Sequence, residues 1–394
     1  MNRSFDVGNG RGSRARAAVV MILALSVLGL VGLQGPANAD ASDLLAHRVG
    51  FGAGVDGGAA ATATTWVTDC GDAAVSPAPG TLRAVLAVPG PQVVRWQQDC
   101  TTHLVAALGV PSDTALDGSG HSVTLTGHND EHDGLVIAHV SNVIVHDLTL
   151  TDFGSPALRA KNDKPNAIDV IGSDGVWIDH NTMANIGNKQ VAIQGGTTHV
   201  TVSWNRFVGD AYAAQFMQIG DVFDGPAMDS AQTVTSTHNL FAGLGYRTPA
   251  ISYGTLHQFN DVVEGWTAYG VNCQRLAQCY LENDVFVGSG LKSGRVAVKY
   301  NAIGEGCNDR NTRCDDTWGA GTVVDPYVTV RRTVIASSVA TPACADPPVA
   351  PCSPLYGSPP ATFTPTYPYS PEVAGVALRA RVDAGAGAHV APSW

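Results

Sequence analysis

Residues 176–207 read VWIDHNTMANIGNKQVAIQGGTTHVTVSWNRF and carry the first two members of a spaced asparagine series, Asn181 and Asn205. The series continues through Asn239, Asn260 and Asn283 at intervals of 24, 34, 21 and 23 residues. Two places after each asparagine stands a bulky or aliphatic residue: Met183, Phe207, Phe241, Val262 and Val285. A recurrence of twenty-odd residues is what a coiled stack of short parallel strands produces, because every turn must revisit the same angular position. Asparagines at equivalent turns are expected to bond side chain to side chain and side chain to backbone, forming a ladder along the stack.

The rest of the chain agrees with an all-β solenoid. Glycine supplies 44 of 394 residues and only 14% are charged, which suits many short strands joined by tight turns better than helices. Short β-branched runs recur at Val123-Thr124-Leu125, Val143-Ile144-Val145, Val176-Trp177-Ile178, Val200-Thr201-Val202, Val234-Thr235 and 256–259. Residues 79–88 predict a short helix, placed to cap the exposed end of the coil. The glycine-rich stretch 48–58, RVGFGAGVDGG, lacks the Lys-Ser/Thr and the preceding strand of a phosphate loop. The long interval between Asn205 and Asn239 predicts a loop leaving the stack, and loops on one face of a solenoid commonly build its site.

Arg3, Arg11, Arg14 and Arg16 precede an apolar run, 17–33, and Ala37-Asn38-Ala39 provides small residues for cleavage. Residues 1–39 therefore read as a secretory signal peptide cut after Ala39, followed by one domain over 40–394. The rival, an uncleaved membrane anchor, has an apolar run short for a bilayer span. Cleavage changes the net charge from −11 to −14, since four arginines and Asp6 depart. So acidic a chain excludes nucleic acid as a natural partner, and the reading has no membrane partner. All eight cysteines follow the signal, as near neighbours Cys70/Cys100, Cys273/Cys279, Cys307/Cys314 and Cys344/Cys352. In an exported chain an even count reads as disulfides, and no Cys-x2-Cys spacing favours zinc. The proline-rich region after Asp315 reads as a disulfide-pinned segment laid along the stack.

Several stretches together resemble the pectate lyase and pectin lyase superfamily of extracellular polysaccharide lyases. They are GFGAGVDGG, PGTLRAVL, LDGSG at 116–120, SNVIVHDLTL at 141–150, VWIDHNT, VTVSWNRF, HNLFAGLGYRTP at 238–249 and the closing AGAGA. The resemblance implies a right-handed parallel β-helix that cleaves homogalacturonan by β-elimination, working as a monomer on a pectic polysaccharide. It also implies that Arg247, in Arg247-Thr248-Pro249, is the residue assigned to proton abstraction. A guanidinium is effectively always protonated, so Arg247 acts either as a base in a strongly positive site or as a stabiliser of the enolate.

The resemblance implies calcium as the cofactor of pectate lyases, but here the expected carboxylates are largely replaced. The Asp-x-Asp-Ala-Ile segment of that subgroup reads Lys164-Pro165-Asn166-Ala167-Ile168, and the next acidic position falls in Gly187-Asn188-Lys189. A lysine of the following strand becomes Gln194, and a second arginine becomes Ser252. Calcium needs charged oxygen ligands, so weak or no calcium dependence is expected, with no metal ligand assigned. Lys164, Asn166, Asn188, Lys189, Gln194 and Ser252 become candidate substrate-binding residues. A displaced metal site would draw on Asp163, Asp169, Asp221 or Asp224.

Two other clusters have bland readings. His128-Asn129-Asp130-Glu131-His132-Asp133 fits an exposed turn between strands better than a metal site, and Asp179-His180 fits a structural corner better than an acid/base dyad. A polygalacturonase-type hydrolase would need clustered catalytic aspartates, which are missing. The remaining rival is a carbohydrate-binding β-helix without catalysis.

Overall fold

Columns of apolar side chains run the length of the molecule, one residue per turn. On one sheet Val143, Val176, Val200, Val234, Leu256 and Cys279 stand in register, each on the strand beside the last. On another, Leu125, Leu150, Met183, Phe207, Phe241, Val263 and Phe286 do the same. Such stacking requires every turn to keep the same register, because a slip of one residue moves a side chain to the opposite face. Phe207 and Phe241 show the result, with parallel rings 4.6 Å apart.

The computed structural model describes residues 45–220, 226–267, 269–274, 276–288, 296–301, 327–331, 334–337 and 363–389. All lie in one compact unit, Asn38–Trp394. Among them, parallel strands form three sheets of ten, nine and nine strands. One full turn runs through Asp174–Asp179 on the first sheet, Thr182–Ile186 on the second and Lys189–Gln194 on the third, then returns to the first at Thr198–Ser203. Each strand pairs in parallel with its counterparts one turn before and one turn after. This is a right-handed parallel β-helix, the hand that parallel crossovers adopt.

The helix Leu82–Leu86 lies within the expected stretch 79–88 but begins three residues later and ends two residues earlier. Thr81 caps it by accepting from Ala84 N, and Leu82, Val85 and Leu86 are buried in the core at the end of the coil. The glycine-rich opening lies across the outside of the first sheet. Phe51 N donates to Thr235 Oγ1 and Gly52 N to Thr201 Oγ1, both at 3.0 Å. A side chain at Gly50, where φ is 81°, would meet Thr235 Cβ at 2.5 Å, so glycine serves backbone approach here.

The ladder exists, with one correction. Asn181 N and Nδ2 donate to Asn205 Oδ1 at 2.9 and 3.0 Å, and Asn205 N and Nδ2 donate to Asn239 Oδ1 at 2.9 and 3.0 Å. The next members are Asp261 and Asp284, not Asn260 and Asn283: Asn239 donates to Asp261 Oδ1, and Asp261 N to Asp284 Oδ1 at 2.9 Å. The apolar column shifts by the same residue, to Val263 and Phe286. An aspartate supplies the acceptor oxygen as well as an asparagine does, so position is kept while residue type changes. Asn260 and Asn283 occupy the preceding left-handed position, φ 59° and 56°, equivalent to His180, Trp204 and His238. Their amides donate to Glu372 O at 2.9 and 2.6 Å and so fasten the C-terminal segment to the coil. That segment continues as the helix Val376–Gly385, and Gly387 N donates to Trp204 O at 2.8 Å.

Cys70–Cys100 and Cys273–Cys279 are disulfides, with Cα atoms 5.5 and 6.5 Å apart. Cys307, Cys314, Cys344 and Cys352 lie outside the described residues.

Candidate active site

Every turn passes from the second sheet to the third through a corner that differs from turn to turn, and the polar candidates gather along it. The loop 154–167 contains the helix Pro156–Lys161, which Ser155 caps by accepting from Leu158 N. The loop 209–213 lies beside it, joined by an Arg159–Asp210 ion pair at 3.0 Å. Arg247 enters at the corresponding corner, just before the strand Ala250–Ser252.

Arg247 is half-buried with φ of 63°, a left-handed conformation uncommon for arginine and one that clusters at functional sites. Its Nη1 donates to Gln218 Oε1 at 2.5 Å, and its guanidinium lies 5.6 Å from the Tyr246 ring centre. Gln218 is itself fixed by donating to Gly220 O at 2.6 Å. Among the described residues Arg247 forms no ion pair and its buried Nε finds no acceptor. Its charge is thus held by a neutral amide and an aromatic face, not cancelled by a carboxylate.

The remaining candidates fall into two rows along the third sheet. Asn166, Asn188 and Lys189 sit at the strand starts near Arg247's corner, while Gln194 and Ser252 sit at the far ends of their strands. Asn166 Oδ1 accepts from Lys189 N at 3.1 Å, and Asn188 Oδ1 accepts from Gln215 Nε2 at 3.0 Å. Ser252, fully buried, donates from Oγ to Gln274 Oε1 at 3.1 Å. Lys164 stands apart on the loop, exposed, 3.4 Å from the Glu131 carboxylate.

Asp169 links the rows. It is 6% exposed, and Gln194 Nε2 donates to its Oδ1 at 2.9 Å. Burial, and next the negative charge of Asp133, push its carboxyl up to about 6 against the opposing hydrogen bonds from Asn166 and Gln194 and the charge of Lys189. Asp133 in turn accepts from Asn166 N at 2.7 Å. The register Asp169, Ala192, Gln218, Ala250 puts Asp169 two strands from Gln218, about 10 Å at ordinary strand spacing.

Sequence reasoning passed over Gln218 and Gln215, placed Asp133 in an exposed turn and gave Asp169 only a metal role. Their signal was weak: alternating polar residues on a strand, as in AQFMQI at 214–219, do not say which sheet they face.

The calcium ion implied by the resemblance does not fit this donor set. The oxygens of Asn166 and Asn188 already accept hydrogen bonds, as does Oδ1 of Asp169, and calcium takes six to eight oxygen ligands. No group of three or more His, Cys, Asp or Glu converges there among the described residues; Asp221 and Asp224 lie outside them.

The group that does converge is His146, Asp179 and His180, at the ladder corner. His146 Nδ1 and His180 Nδ1 lie 3.0 and 2.6 Å from Asp179 Oδ2, and Ser203 Oγ donates to Oδ1. Burial alone would raise the Asp179 carboxyl, but the two imidazoles hold it well below the usual range. All three are buried beside the stacked rings of His180, Trp204 and His238, which makes this a structural knot with no room for a substrate. The His128–Asp133 stretch is a turn, with His128 and Asn129 at positive φ.

The fold is thus a right-handed parallel β-helix, and half-buried Arg247 stands at the corner leading into its third sheet with no ion pair among the described residues. The family described as pectate lyase matches residues 97–350, nearly two-thirds of the sequence, and the chain belongs to that family. Pectate lyase 1 of Ambrosia artemisiifolia is 28% identical over 235 residues, 56% of this chain and 56% of that protein. Probable pectate lyase 18 of Solanum lycopersicum is 28% identical over 236 residues, 57% of this chain and 56% of its own length. The chain thus spans a little over half the length of these curated relatives. The crystal structure of jun a 1, the major cedar pollen allergen, superposes with a TM-score of 0.65 at 21% identity, covering 86% of this chain and 93% of that one. A pectate lyase bound to a hexasaccharide superposes at 0.63 with 15% identity, covering 86% and 96%. At these identities the superpositions speak for the fold.

Proposed function

We propose that this protein is a secreted polysaccharide lyase that cleaves homogalacturonan by β-elimination with weak or no dependence on calcium. Residues 1–39 act as its signal peptide and 40–394 as the enzyme, working as a monomer. In the reaction a base, either Arg247 itself or a water molecule beside it, takes the C5 proton, the C5–H electron pair forms the C4–C5 double bond, and the C4–O bond breaks as the leaving oxygen takes up a proton, so that one proton leaves C5 and one arrives on the oxygen. Arg247 is assigned to the negative charge that develops beside C5, where a fixed cation in a water-poor cleft is most effective. One observation carries this reading: Arg247 is held by a neutral partner, so its charge stays available to substrate. Family membership, and relatives named as pectate lyases, support the reaction class.

The second reading, a carbohydrate-binding β-helix without catalysis, has its own observation. Asn166, Asn188, Gln194 and Ser252 spend hydrogen bonds on one another's surroundings, as a passive binding floor would. Ultraviolet absorbance of unsaturated uronate ends, on polygalacturonate and on methylated pectin with and without chelator, separates the two. The lyase reading expects product whose rate changes less than about two-fold on chelation, since no carboxylate cage is available. Oligosaccharide binding without product on either polymer selects the second reading.

A further inference from the structure

The third sheet carries a carboxylate that the proposed reaction does not use. Asp169 lies buried in the outward row of the third sheet, hydrogen-bonded by the neutral amides of Asn166 and Gln194, and forms no ion pair among the described residues. Between it and the Arg247–Gln218 pair the outward row contains only Ala192, a side chain too small to separate them. Field lines from a buried charge cross such a row with little screening by salt.

We propose that Asp169 is a specificity-determining residue, whose negative charge disfavours a free uronate and tilts the cleft toward methyl-esterified residues. This rests on the lyase reading for its location, since it takes the substrate's carboxyl group to lie near Arg247. The logic is electrostatic. A free carboxylate drawn to Arg247 must also approach Asp169 and its neighbour Asp133, whereas a methyl ester at the same place carries no charge to repel. Two like charges about 10 Å apart at an effective dielectric constant of about 20 change affinity by about ten-fold. Lys189 offsets part of this charge, while Lys164 is occupied with Glu131 on the exposed loop.

The test compares wild type with Asp169→Asn and Asp169→Glu on polygalacturonate and on highly methylated pectin, with chelator present throughout. Asparagine keeps the acceptor for Gln194 and removes the charge; glutamate keeps the charge. The ratio of kcat/KM for polygalacturonate to that for methylated pectin is expected to rise about ten-fold in the asparagine variant and to stay near wild type with glutamate. An equal change on both polymers in Asp169→Asn, or a shift as large with glutamate as with asparagine, overturns the assignment. Asp169→Ser repeats the neutral arm should the asparagine variant fail to fold. Equilibrium binding of trigalacturonate and of its methyl ester to the same proteins reads the same ratio without turnover. A wild type that forms no unsaturated product therefore removes the lyase reading, while the ratio of affinities still decides the role of Asp169.

Discussion

The corner between the first and second sheets and the corner between the second and third are visited by every turn of the same coil, yet they are filled differently. At the first, Asn181, Asn205, Asn239, Asp261 and Asp284 repeat one hydrogen bond from turn to turn, sealed from solvent. At the second, successive turns place Asn166, Asn188, Ala213 and Arg247, no two making the same contact. Repetition satisfies each backbone group with an identical partner and so builds a scaffold. Variation leaves groups partly unmatched, and a polymer can use what the chain does not.

The sharpest way to break this comparison is to remove Arg247. Arg247→Ala is expected to lower kcat by about a thousand-fold, the scale of losing a preorganised charge stabiliser, while the urea unfolding midpoint stays put. Turnover equal to wild type would take Arg247 out of the mechanism.

Asn205→Ala should do the reverse. It strands Asn181 N and the carbonyls of Ile178 and Ser203 in the core, so a loss on the order of 3 kcal/mol is expected. Urea unfolding measures it, with kcat per folded molecule retained. A large kcat effect at unchanged stability would mean the corners are not separate.

Asp261→Asn sharpens the comparison within the ladder itself. Burial pushes Asp261 up to about 7, and burial with the nearby Asp261 charge raises Asp284 as well. A carboxyl whose folded pKa lies above its unfolded value costs nothing below the unfolded value, and its penalty grows as pH rises toward the folded one. Wild type should therefore lose stability between about pH 4 and pH 7 on account of this pair, and the asparagine variant should lose less. The Ser236 hydroxyl can turn from donor to acceptor, so the variant's advantage at pH 8 is expected to be on the order of 1–2 kcal/mol in urea unfolding. Parallel pH profiles for the two proteins would remove the carboxyl pair as the cause.

Much of the scaffold was legible because periodicity is a property of sequence. The runs at 143–145, 176–178, 200–202, 234–235 and 256–259 all fall on the first sheet, so reading found one strand per turn there. The second and third sheets escaped it where strands shorten to two or three residues, as at Leu240–Ala242 and Ala250–Ser252, too short to show alternation. The ladder slipped at Asn260 because the reading followed a residue type, while the fold kept a position and accepted Asp261. For the cleft, the motif around Arg247 was visible, but its partner Gln218 stands 29 residues away in the chain.

By itself, then, the sequence determined that this chain coils and roughly where its turns lie, since these follow from spacing, and its resemblance to a known family pointed to the arginine to examine. Only the tertiary structure decided which polar residues share a face, that Asn166 and Gln194 converge on Asp169, and that Arg247 meets an amide instead of an acid. The physical reason is that such contacts join residues one or more turns apart. Their pairing depends on the register of whole strands, and the register is set by the packed core, not by the residues that later touch a substrate.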